Sequence, residues 1–138
     1  MVKHQGQNGS TIIDDSYNAN PESMKASIEL LGRINLFKNK IAILGDMLEL
    51  GNMELLYHKG LASVIRKNKI NTVFTIGNRM KSLHKELENM EIESKYFLRR
   101  NALSEFLTNK DITDSVILVK GSRGMKMEEF VTIIKEKI

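Results

Sequence analysis

The chain has no cysteine and no tryptophan, a single proline, and no apolar run longer than five residues. Without thiols there is no disulfide framework and no thiolate-bound zinc, and the three histidines, His4, His58 and His84, are too scattered to give metal-ligand spacing. The short apolar runs exclude a membrane-spanning helix, which needs about 20 apolar residues, and no basic start followed by an apolar stretch marks a signal peptide. The chain therefore reads as cytoplasmic, with no membrane insertion. Aromatics are scarce too, five Phe and three Tyr, which leaves little for base stacking. Lys and Arg outnumber Asp and Glu by 21 to 17, for a formal charge of +4 and a pI of about 9.3. The bases nevertheless alternate with acids, as in Lys81, Lys85, Glu86 and Glu88, which is the pattern of a solvated helix face. Nucleic acid is not an expected partner.

What is present is alternation. At 138 residues the chain is long enough for one domain with a substantial core. Thr11 to Ile13 is a β-branched strand, and Asn20-Pro21 is a helix start, because Asn accepts from an orphan amide and Pro costs nothing at the first helical position. From there the pattern predicts helix over 21–31, strand over 41–44, helix over 53–67, strand over 72–76 and helix over 80–90. A short strand over 95–98, helix over 102–107, strand over 116–119 and helix over 127–137 complete it. Ile41-Ala42-Ile43-Leu44 and Val116-Ile117-Leu118-Val119 are uninterrupted apolar runs, as in central strands covered on both faces. The expected fold class is α/β, a mostly parallel, doubly wound sheet with its post-strand loops at Asp14, Gly45, Gly77 and Lys120 on one edge. In the opening segment, Asn8-Gly9 is a hairpin signal that would return Met1 to Gln5 along the strand ending near Asp14. The alternative is a frayed linker.

Three of these loops carry chemistry. Asp14 to Pro21, DDSYNANP, crowds two carboxylates, a hydroxyl, a phenol and two carboxamides between a strand and a helix amino terminus. Turn and cap formation is the plainer reading of such residues and explains Asn20 best. Leu44 to Gly51, LGDMLELG, places Asp46 just past a buried strand and Glu49 in the loop that follows, where an acid can hold a cation or a ligand hydroxyl, or merely a turn. His58 lies in the next helix, where a histidine is usually structural or solvated. In Val119 to Glu129, VKGSRGMKMEE, Lys120, Arg123 and Lys126 join the Ser122 hydroxyl and helix-entry amides in favouring an anion such as a carboxylate or phosphate. The phosphate-loop spacing G-x-x-x-x-G-K-[ST] occurs nowhere in the chain.

Together, IIDDSYNANPESM, IAILGDMLELG followed by His58, and ILVKGSRGMKMEE closely resemble the carboxyl-terminal domain of the Mur ligases. The likeness spans residues 10–138, with residues 1–9 resembling the end of an interdomain linker. It implies a Rossmann-like domain and the branch of the family that joins D-alanyl-D-alanine to UDP-N-acetylmuramoyl-tripeptide in peptidoglycan synthesis. That reaction consumes ATP through an acyl phosphate, with ATP and magnesium handled by a central domain that has its own phosphate loop. The resemblance implies that Asp15 holds the nucleotide ribose, while Tyr17, Asn18 and Asn20 lie beside the phosphates and the incoming dipeptide. It assigns Lys120, Ser122 and Arg123 to the loop that receives the amino component, Asp46 to the facing loop, and Glu49 and His58 to supporting positions. No catalytic residue is expected in this domain alone, no metal ligand, and no tightly held cofactor. The arginine that the family usually carries just before this domain has no counterpart, since the first arginine is Arg33. A free-standing α/β nucleotide- or anion-binding module is the alternative reading.

Overall fold

Strands that are apolar at every position need cover on both faces, and the computed structural model, which describes residues 1–6 and 8–138, provides it. Strand β1 (Val2–Gln5) runs antiparallel to β2 (Thr11–Asp15), so the opening segment forms the hairpin rather than a frayed tail, and Gly6 N–H donates to Ser10 O at its closed end. Gln7, inside the expected turn, lies outside the described residues. Helix α1 (Pro21–Arg33), β3 (Asn39–Gly45), α2 (Glu54–Lys67), β4 (Thr72–Ile76) and α3 (Met80–Asn89) follow. Next come β5 (Glu93–Phe97), α4 (Arg100–Asn109), β6 (Ser115–Lys120) and α5 (Glu128–Lys135), with one-turn 3-10 segments at Gly51–Met53 and Arg123–Met125.

The sheet order is β1-β2-β6-β3-β4-β5, and every pairing except β1–β2 is parallel. Alternate side chains separate two cores. Ile13, Ala42, Leu44, Val73, Val116 and Leu118 pack under α1, α2 and α3, while Ile12, Ile43, Phe74, Ile117 and Val119 pack under α4 and α5. This is the predicted doubly wound α/β sheet. Strand β5 begins and ends earlier than its apolar residues suggested, because its extent is set by parallel pairing with β4, from Glu93 opposite Thr72 to Phe97 opposite Ile76. Leu98, left outside, is exposed.

Strand β6 enters between β2 and β3, so the crossover direction reverses there and the loops after β2, β6 and β3 meet at the reversal. Their approach depends on glycine. A Cβ on Gly121 would lie 3.1 Å from the Gly45 Cα and 2.7 Å from the Met127 Cγ, so the two loops touch through backbone. Gly121→Ala is expected to lower stability by about 1–3 kcal/mol through overpacking. Gly60→Ala, on the open face of α2 where a Cβ meets nothing within 4 Å, is expected to raise it by about 0.5–1 kcal/mol. Urea unfolding of both variants checks the pair, and equal effects would contradict the contact.

Candidate functional site

The register of β2 with β6 sets Asp15 directly beside Lys120, both facing α1. The resemblance makes Lys120 part of the loop that receives a substrate carboxylate, yet its side chain is only 3% exposed and turned inward. Its Nζ donates to Asp15 Oδ2 at 2.8 Å and to Asn18 O at 2.9 Å. A buried ammonium without partners is too costly to persist, so the β2 loop curls back and supplies both acceptors. The Ser27 hydroxyl, from the middle of α1, donates to the same Asp15 oxygen at 2.5 Å. Burial pushes the Asp15 carboxyl upward, but hydrogen bonds from Lys120 and Ser27 and the Lys120 charge outweigh it and leave it below its ordinary 3.8. A carboxyl lowered on folding adds stability that is complete above 3.8 and disappears as the pH falls through the lowered value.

Ser122 joins all three loops. Its N–H donates to Asp46 O at 3.0 Å, its Oγ accepts from Leu48 N–H at 2.7 Å, and the hydroxyl donates to Ala19 O at 3.4 Å. With this hydroxyl engaged and the residue 5% exposed, Ser122 faces the loops rather than solvent. Asp46 is likewise turned away from the surface at 2% exposure: its carboxylate accepts from Met80 N–H at 2.9 Å and Arg79 N–H at 3.2 Å, capping the amino end of α3. Gly77, at φ +115°, keeps the necessary space clear, since a Cβ there would lie 2.3 Å from that carboxylate. His58 is fully buried, accepting from Met47 N–H at Nε2 (2.9 Å) and donating from Nδ1 to Glu54 O (2.6 Å), so it fastens the Asp46 loop to α2. Asn20 forms a capping box with Ser23, its Oδ1 accepting from Ser23 N–H at 2.8 Å while the Ser23 hydroxyl accepts from Asn20 N–H. Glu49 is exposed at φ +64°, at the outer bend of its loop, away from the bonded groups.

The side chains left open form a smaller set. Tyr17 is exposed with the Arg123 guanidinium 5.3 Å above its ring, a cation–π pair between the first and third loops. Asp15, Ser16, Tyr17 and Arg123 line one cleft of about 380 Å³. Asn18 is exposed beside it, its Oδ1 accepting from Ala19 N–H. Thus Asp15, Tyr17, Asn18 and Arg123 come together at the surface, while Lys120, Ser122, Asp46 and His58 lie beneath and hold the loops. Residues not singled out from the sequence belong to the supporting layer. Arg79 bonds Glu54 at 2.7 Å and reaches Asp46 at 3.3 Å. Ser27 interrupts the apolar stripe of Met24, Ile28 and Leu31, and that interruption was its signal.

The family model described as "Mur ligase, glutamate ligase domain" matches residues 1–123. The UDP-N-acetylmuramoyl-tripeptide–D-alanyl-D-alanine ligase of Bacillus subtilis is 40% identical over 131 residues, covering 89% of this chain and 27% of that enzyme. The ligase of the same name from Escherichia coli is 30% identical over 127 residues, again with 27% of its length covered. The chain thus spans about a quarter of the length of these relatives. Among solved structures, MurF from Acinetobacter baumannii superposes with a TM-score of 0.84 at 26% identity, covering 98% of this chain and 30% of that one. The MurF ligase of Thermotoga maritima, solved in complex with ADP, gives 0.72 at the same identity and coverages. A match over most of the chain, with relatives alike along nearly its whole length, makes this chain a member of the Mur ligase family, in its glutamate ligase domain.

Proposed function

We propose that this chain acts as the carboxyl-terminal domain of a cytoplasmic ligase that joins D-alanyl-D-alanine to UDP-N-acetylmuramoyl-tripeptide in peptidoglycan synthesis. Residues 10–138 form the main part of the domain, and residues 1–9 are the end of the interdomain connection, tied to the sheet through the pairing of β1 with β2. The observation that carries the reading is the cleft at the sheet's reversal point, where an open carboxylate oxygen, a phenol and a guanidinium face outward from loops locked together beneath. Asp15 and Tyr17 suit a nucleotide's hydroxyls and ring, Asn18 and Asn20 edge its phosphates, and Arg123 suits the dipeptide's carboxylate. Lys120, Ser122, Asp46 and His58 hold these groups in place, and Glu49 stands at the rim. ATP and magnesium serve the whole ligase. The chain offers hydroxyl- and carboxylate-recognising groups but no phosphate-loop motif, so carboxyl activation is assigned to the rest of the enzyme.

The same edge of the sheet exposes Met53, Leu55, Leu56 and Tyr57, at 41–65%, at the entry to α2. Contiguous apolar surface beside a polar cleft suits a face that the ligase's other domains cover.

Two measurements test the reading. The isolated 138-residue chain is expected to release no ADP from ATP above a blank, and turnover in a preparation free of other ligases would overturn it. In the whole ligase, Arg123→Ala is expected to lower kcat/KM for D-alanyl-D-alanine about tenfold to hundredfold, with the values for ATP and the UDP-linked substrate changed far less. Because Arg123 is exposed and meets Tyr17 alone among aromatic rings of the described residues, its loss should cost no more than about 1 kcal/mol of stability. Equal use of all three substrates by the variant would remove Arg123 from the site.

A further inference from the structure

Asp15 is bonded on one side only. Both donors that reach it, Lys120 Nζ and Ser27 Oγ, converge on Oδ2, and no hydrogen bond from the described residues reaches Oδ1. A carboxylate offers about four lone-pair sites, so two are filled from within and two remain on the oxygen beside the cleft. Lys120 alone could tether the carboxylate and still let it swing, because its ammonium is a point charge on a flexible stem. The second donor removes that freedom.

Ser27 is an unexpected choice for its position. It sits in the interior of a 13-residue helix, 3% exposed, among Met24, Ile28 and Leu31, where alanine or a larger apolar residue would favour the helix and the core. Its hydroxyl does not bond back to its own helix, as a buried helical serine commonly does, but crosses to β2. Among the described residues, the hydrogen bond to Asp15 is the sole one of this side chain.

We propose that Ser27 is a positioning residue: with Lys120 it holds the Asp15 carboxylate by one oxygen and so presents the other to a ligand's hydroxyl or amino group in the cleft. The ligand part rests on the proposed function, whereas the positioning part stands on the geometry of this chain. The charged groups around Asp15 are Lys120 from β6, the chain's amino terminus ahead of β1, and Asp14, Arg123 and Glu128 around the cleft. None of them is altered by substitution at Ser27. A difference between wild type and variant therefore reports the hydroxyl.

Ser27→Ala removes one atom, creates no clash and improves helix propensity, so the variant folds. The Asp15 carboxyl is then titrated by carbon-13 NMR in the 138-residue chain. The midpoint is expected to rise toward the ordinary 3.8, since one of the bonds that lowers it is gone, while the melting temperature stays close to that of the wild type. In the whole ligase, the KM for ATP is expected to rise about threefold to tenfold with kcat nearly unchanged, the mark of weakened ground-state binding. An unmoved midpoint overturns the proposal, because a serine that only fills space leaves Asp15 as it was. If the midpoint rises but Asp15→Asn leaves the ATP KM unchanged, the positioning of Asp15 stands and its nucleotide role falls.

Discussion

A positive charge almost wholly buried at the end of a central strand sets the terms for everything above the sheet. Lys120 lies on β6, between β2 and β3, and its side chain is almost wholly buried. Leaving such a charge unpaired costs several kcal/mol, a large share of the stability of a domain this size. The register of β2 brings Asp15 alongside, and the loop beyond turns its Asn18 carbonyl inward. The course of the DDSYNANP loop is therefore dictated from below, and its outward face is what remains after the lysine has been satisfied.

The same layered logic extends to the neighbouring loops. Each of Ser122, Asp46 and His58 satisfies backbone amides of a loop that has left the sheet and cannot form ladder bonds. Glycines at 45 and 121 let the loops touch directly, so the hydrogen bonds form at short range. The loops that carry Tyr17, Asn18 and Arg123 are thereby pinned to the strand ends beneath them.

The central strands were legible because burial on two faces leaves a plain mark, an unbroken run such as Ile41 to Leu44. The helix start at Asn20-Pro21 was legible for a similar reason: few residues suit that place, and both appear. Strand β5 was less so, because an edge strand exposes Glu93 and Lys95 and its limits come from a partner far away in the chain. The candidate site was legible as three loops, but not as two layers. Composition says that Lys120, Ser122 and Asp46 are polar; which way they point depends on the register, on the positive φ of Gly77 and on the free amides at the start of α3. Ser27 leaves only a gap in the apolar stripe of α1 and Arg79 leaves no mark, because one serine within a helix and one arginine before another are ordinary until their partners from other elements are placed.

The carboxylate of Asp46 deserves to be seen as a resident anion. At the amino end of α3, where the helix dipole and unpaired amides would attract a passing phosphate or carboxylate, the chain has already installed one of its own. Gly77 makes the room and Arg79 adds a countercharge. Parallel α/β sheets offer an anion seat behind several strands at once, and a protein that recognises one charged partner must keep the surplus seats from competing. Behind β4 the seat is taken from within, so the amino end of α3 is satisfied by the chain's own carboxylate.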